Sequence, residues 1–70
     1  MIFEDYIVKA NRRHMEGLAD GTKERMGQAY FNELFLCHPK LAEAVVNTEN
    51  DCFYDDEKLS RFLEFVQKNW

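Results

Sequence analysis

A small all-α bundle of three to four helices is what this sequence predicts, and three observations predict it. The 70 residues hold one proline and three glycines, so the punctuation that strands and hairpins need is scarce. Apolar residues recur at three- and four-residue steps. Helix-start signals stand ahead of several of those runs. A hydrophobic content of 46% that includes ten aromatic residues supplies a packed core and argues against intrinsic disorder. The length fits one domain, residues 1–70.

The first helix is expected over about 3–15. Phe3, Tyr6, Ile7, Ala10 and His14 share one face of it, and Gly17 and Gly21 bracket its end and the turn. The second is expected over 22–37, with Thr22 as its cap, accepting a hydrogen bond from a free backbone N–H of the first turn. Met26, Ala29, Tyr30, Leu34 and Cys37 form its main stripe, and Phe31, Phe35 and Leu36 widen the stripe almost all the way round. A helix this apolar in so small a chain is central or shared with another subunit. Gly27 lies inside it at a cost of about 1 kcal/mol relative to alanine, a cost that close approach of a neighbouring helix offsets.

Pro39 suits the first position of a third helix over 39–46, because the N–H it lacks would be unpaired there anyway. Leu41, Ala42, Val45 and Val46 give that helix an apolar side, and 47–51 reads as a polar loop. The last helix is expected over 55–70. Asp55 is its N-cap, Tyr54 and Leu59 stand in the positions of a hydrophobic staple, and Asp56 and Glu57 favour the positive end of the helix dipole. Its stripe is Leu59, Phe62, Leu63, Val66 and Trp70.

Charge is unevenly placed. Residues 1–32 balance five acids against five bases, whereas residues 33–70 hold eight acids against four bases and so carry the whole net charge of −4. An acidic surface repels phosphate backbones and disfavours nonspecific nucleic-acid binding. No apolar run approaches the roughly 20 residues of a membrane span. Glu4, Asp5 and Lys9 stand where an export signal needs unbroken apolar sequence, so the expected compartment is the cytoplasm, with Cys37 and Cys52 as reduced thiols.

The chain offers little to catalysis or metal binding. Cys37, His38, Cys52 and His14 lack the paired spacings of structural zinc sites. Aligned from Asn47, a calcium loop would need Gly where Cys52 stands and Glu where Lys58 stands. The one serine, Ser60, falls within a helix without a nucleophile elbow. Cys37 and His38 are neighbours on a helix, so their side chains point about 100° apart. No enzymatic activity and no cofactor are expected.

Two charged groups and one aromatic set remain. Lys9, Arg12, Arg13, Lys23 and Arg25 form either a basic patch or a solvated, salt-bridged face. Glu49, Asp51, Asp55, Asp56 and Glu57 cluster around Phe53 and Tyr54, either as loop and capping acids or as an acidic surface that stands in for nucleic-acid phosphates. Phe31, Phe35, Phe53, Phe65 and Trp70 exceed what one narrow stripe per helix buries. They are either all core or, with Tyr54, the contact surface for a protein partner, which would be a host protein or a second copy in a homodimer.

From Gly27 onward, the run GQAYFNELFLCHPKLAEAVVNTENDCFYDDEKLSRFLEFVQKNW resembles a group of small uncharacterised proteins encoded by bacteriophages and prophages. GQAYFNEL, the helix from Pro39 to Val46, Thr48 with Asp51, and FYDD ahead of the final helix carry the likeness, over about the last two-thirds of the chain. Cys52 stands where such proteins often have a proline. The resemblance implies a phage or prophage origin and the bacterial cytoplasm as workplace, and it carries no established activity across; takeover of a host protein by binding is the expectation from small accessory phage proteins as a class. The composite expectation is a non-enzymatic protein-binding module, with a nucleic-acid role as the alternative.

Overall fold

The computed structural model describes residues 1–70. Four α-helices follow one another: α1 (Phe3–Asp20), α2 (Met26–Cys37), α3 (Pro39–Val45) and α4 (Leu59–Asn69), the last entered through a 3-10 turn at Asp56–Lys58. There are no strands, so the all-α bundle is the fold. No helix is long and apolar enough to cross a membrane.

The helix ends differ from the local signals in instructive ways. α1 runs through Gly17 to Asp20 and stops at Gly21, whose φ of 89° is left-handed. The amides of Gly21 and Lys23 both donate to the Gly17 carbonyl at 3.1 Å, which satisfies acceptors left free at a helix end. Thr22 does not cap α2. Its amide and hydroxyl both turn back to Asp20 Oδ1, at 2.9 and 2.6 Å, so Thr22 belongs to the turn and α2 starts four residues later.

At that start the capping position is Arg25, a side chain with no acceptor. Two groups compensate. Gln28 Oε1 accepts the Arg25 amide at 3.0 Å, and Asp56 Oδ1, from the turn before α4, accepts the Gly27 amide at 2.9 Å. A carboxylate at a helix N-terminus also lies favourably in the helix dipole. Gly27 is required there: a Cβ on it would lie 2.3 Å from the Cys52 carbonyl oxygen and 2.7 Å from Asp56 Oδ1. The close approach that compensates this glycine is therefore made by the loop ahead of α4, not by a neighbouring helix. The buried Cys52 thiol completes the join by donating to the Gly27 carbonyl at 3.3 Å.

Tyr6 and Ala10 of α1, Tyr30, Phe31 and Leu34 of α2, Leu41, Ala42 and Val45 of α3, and Phe62 and Val66 of α4 share one core with Cys52. α2 is the central element, packed against both α1 and α3. The Tyr6 hydroxyl, buried with its ring, donates to the Tyr30 carbonyl at 2.6 Å, which removes the cost of an unsatisfied polar group in the core. Pro39 opens α3 at its first turn, and Asp55 caps the turn into α4 by accepting the Glu57 amide at 3.0 Å. Tyr54 does not close a staple on Leu59, for its side chain stands 82% exposed.

Trp70 joins the two ends of the fold. Its indole N–H donates to the Met1 carbonyl at 3.0 Å. Its ring lies 5.4 Å from Tyr6, 5.8 Å from Phe3 and 5.2 Å from His38. These separations fit favourable aromatic packing.

Candidate protein-docking surface

The loop between α3 and α4 is organised by one carboxylate. Asp51 Oδ2 accepts the Asn47 amide at 2.8 Å and Oδ1 accepts the Phe53 amide at 2.9 Å. Asn47 takes a left-handed φ of 62°, a conformation asparagine tolerates better than most residues. The Thr48 hydroxyl donates to the Val45 carbonyl at 2.6 Å. The loop therefore folds back on the end of α3 and presents Phe53 and Tyr54 beside Val46.

There the surface opens a small notch of about 190 Å³ lined by Phe31, Val46, Asp51, Phe53 and Tyr54. Phe31 forms its floor, since it is a core residue that α2 presents toward α4. Phe53 stands edge-on to Phe31 at 5.6 Å and to Tyr54 at 4.9 Å. Phe35, one helical turn beyond Phe31, is 49% exposed and lies on the same side of α2. Arg25 reaches the rim, where its guanidinium donates to the Phe53 carbonyl and lies 3.6 Å from Asp56 Oδ1.

The structure thus divides the aromatic set. Phe31, Phe53 and Tyr54 come together at the notch, with Phe35 beside it. Trp70 is occupied in tying α4 to α1, and the half-buried Phe65 lies elsewhere, in a groove with Glu49, Asn50, Arg61, Glu64 and Lys68. The acids divide as well. Asp51, Asp55 and Asp56 hold backbone amides of the loop, the capping turn and α2, so each has a structural task, while Glu49 and Glu57 stand exposed. Only Asp56 has a cationic partner. Asp51 and Asp55 accept hydrogen bonds from backbone amides and have no ion-pair partner.

The bases divide too. Arg13 binds Glu24 through two hydrogen bonds, at 2.8 and 3.2 Å, and lies 3.6 Å from Glu33. Asn32 donates to the same Glu24 at 2.7 Å. The Arg13 guanidinium holds the Glu24 carboxyl below the usual carboxylate range, with Asn32 adding to the effect. Arg25 serves the notch rim. Lys9 and Arg12 remain exposed and line a cleft with Arg13, but Glu16, Asp20, Glu24 and Glu33 line it as well. Acids therefore interleave with the bases there, in the salt-bridged arrangement.

The thiols are quiet. Burial, assisted by nearby Asp51, pushes the Cys52 thiol up to about 12. Burial first, and then the Glu33 carboxylate 3.4 Å away, raise that of Cys37. A thiol is reactive as the thiolate, so neither cysteine is set up as a nucleophile. His38 faces Trp70 and not Cys37, and His14, Cys37, His38 and Cys52 are not gathered into a ligand group.

Two apolar features lie outside the sequence-level candidates. Val46, just beyond the end of α3 and 39% exposed, joins the notch because the loop folds back on it. On α1, Val8, Met15 and Leu18 are each more than half exposed; Val8 and Met15 lie opposite the Tyr6–Ala10 core face and Leu18 on the flank beside them. Their seven- and three-residue spacing was a legible signal, since three apolar residues off the buried stripe share a face.

Comparison of the chain with protein-family models, with curated proteins and with solved structures finds no match in any of the three.

Proposed function

We propose that this chain is a non-enzymatic protein-binding module of bacteriophage or prophage origin that works in the bacterial cytoplasm by docking on a host protein. The docking surface is the notch of Phe31, Val46, Phe53 and Tyr54, extended by Phe35, with Asp51 in its lining and the acids Asp55 and Glu57 following Tyr54 in the chain. The observation that carries this reading is Tyr54, whose ring is held against Phe53 at 4.9 Å yet is 82% exposed. An exposed tyrosine offers a large contact area at the cost of only two side-chain torsions, and tyrosine is among the residues that dominate interface energies.

The test is capture from bacterial lysate on the immobilised chain, run in parallel with Tyr54→Ala and with Lys9→Glu combined with Arg12→Glu. The docking reading requires a protein retained by the wild type and by the charge variant and lost from Tyr54→Ala. Retention by Tyr54→Ala and loss from the charge variant would transfer the function to the α1 cleft and favour the nucleic-acid alternative.

A second reading has its own observation. The outward face of α1, with Val8, Met15 and Leu18 more than half exposed, suits self-association in a homodimer. Light scattering of the wild type against Val8→Lys combined with Met15→Lys tests it: a dimer mass that falls to that of the monomer supports it, and a monomeric wild type excludes it.

A further inference from the structure

We infer that the notch takes a single apolar side chain of a partner segment, and that this segment carries lysine or arginine beside its anchor. This rests on the docking reading above and adds the chemistry of the partner.

Size fixes the first part. At about 190 Å³ the notch falls below the roughly 300 Å³ at which clefts begin to enclose small-molecule ligands. It is open to solvent at Tyr54, and hot-spot pockets at protein interfaces receive one anchor residue each. A metabolite-sized occupant would lie largely outside it.

The walls fix the second part. Phe31, Val46, Phe53 and Tyr54 line it with rings and methyl groups, and the one carboxylate in the lining, Asp51, turns one oxygen to the Asn47 amide and the other to the Phe53 amide. A polar anchor would lose its water there and gain little in exchange, which is costly. Leucine, isoleucine, methionine or phenylalanine suits the notch.

Charge fixes the third part. Asp51 in the wall and Asp55 and Glu57, which follow Tyr54 in the chain, are without ion-pair partners, Arg25 at the rim is engaged by the Phe53 carbonyl and Asp56, and from Asp51 to Lys58 four acids stand against one base. The whole chain carries −4. A segment that brings basic residues next to its anchor meets a complementary field, and one that brings acids or phosphates meets repulsion.

The experiment is selection of a random peptide library, displayed on yeast, against the full chain at low salt, with counter-selection on Tyr54→Ala. Tyr54 is so exposed that this variant keeps the fold, which circular dichroism verifies. The expected result is enrichment of sequences with one apolar anchor next to lysine or arginine. A synthetic peptide of the enriched sequence should bind Glu57→Lys, which leaves the Asp55 cap in place, about fivefold more weakly than wild type, and equal binding would overturn the basic half of the inference. Enrichment of apolar anchors with neutral or acidic neighbours, or of basic peptides without an anchor, would overturn the inference and leave the docking reading in place. A library with no sequence that distinguishes wild type from Tyr54→Ala would remove both. A dimer mass lost in Tyr54→Ala would show a second copy filling the notch, and would overturn the inference in that way.

Discussion

The Gly27 amide donates to the Asp56 carboxylate across 29 positions of sequence, at 2.9 Å, and this bond fastens the beginning of α4 to the beginning of α2. Gly27→Ala tests how tightly. Alanine gains about 1 kcal/mol in helix propensity, but its Cβ would meet the Cys52 carbonyl at 2.3 Å. That neighbour is backbone, which yields less easily than a flexible side chain, and overpacking of this kind typically costs about 1 to 3 kcal/mol or more. Two contacts this short, to the Cys52 carbonyl oxygen and Asp56 Oδ1, put the cost at the top of that range, so the clash should win with a net loss of up to about 2 kcal/mol and a Tm lower by up to roughly 8 to 16 °C in thermal denaturation.

Asp56→Ala removes the acceptor that α2 cannot supply from Arg25. Loss of an N-cap typically costs about 1 kcal/mol, so urea denaturation should show an unfolding free energy lower by that amount, with the midpoint moved down and the slope unchanged. Capture of the partner by the folded variant should persist, because Asp56 faces α2 and Arg25. Loss of capture without loss of stability would assign Asp56 to the docking surface instead.

The Glu24 carboxyl, held low by its hydrogen bond from Arg13 and then by Asn32, gives stability a defined dependence on pH. Its ordinary value is 4.5. The contribution is fully present above that pH, where both folded and unfolded states are ionised. It is lost as pH falls through the depressed folded value, because the unfolded chain takes up the proton first. Tm measured across acidic pH should therefore fall less steeply in Glu24→Gln than in wild type, from a lower starting point near neutrality.

Trp70 is a fastening between α4 and α1. Trp70→Ala should cost about 2 to 3 kcal/mol, below the range for fully buried tryptophans because the ring is only half-buried. The loss should appear in denaturation followed by circular dichroism, while partner capture by the folded fraction stays unchanged. Selective loss of capture would return Trp70 to the partner-binding set.

Both thiols should react more slowly than in the unfolded chain, the buried Cys52 more so than Cys37. At mildly alkaline pH Cys52, pushed up to about 12, should resist a thiol reagent until the protein is denatured, and half-buried Cys37 should react slowly. Glu33→Gln removes the second cause of the Cys37 shift, so labelling there should quicken, though not to the rate of a free thiol, because burial is the larger cause. Mass spectrometry of the labelled peptides reads both rates.

The helical stripes, Pro39 at the start of α3 and Asp55 as the cap before α4 were legible because each depends on neighbours in sequence. The start of α2 was not. Thr22 has the right side chain for a cap, but Asp20 captures it locally, and the acceptor that α2 uses lies on Asp56, which no short-range pattern connects to Gly27. Trp70 and Tyr54 show the same limit. Both are aromatic and flank α4, yet one is drawn into an aromatic cluster with Phe3 and Tyr6 while the other is left in solvent. The candidate site was legible as a composition of aromatics and acids around Phe53. Its geometry depends on Val46 and on the Asp51 loop.

The most direct test of the docking surface is hydrogen–deuterium exchange of the chain, alone and saturated with the protein it captures from bacterial lysate. Slowed exchange over residues 46–57, with α1 unchanged, is the predicted result. Protection confined to α1, or none at residues 46–57, would contradict the assignment of the notch as the functional surface.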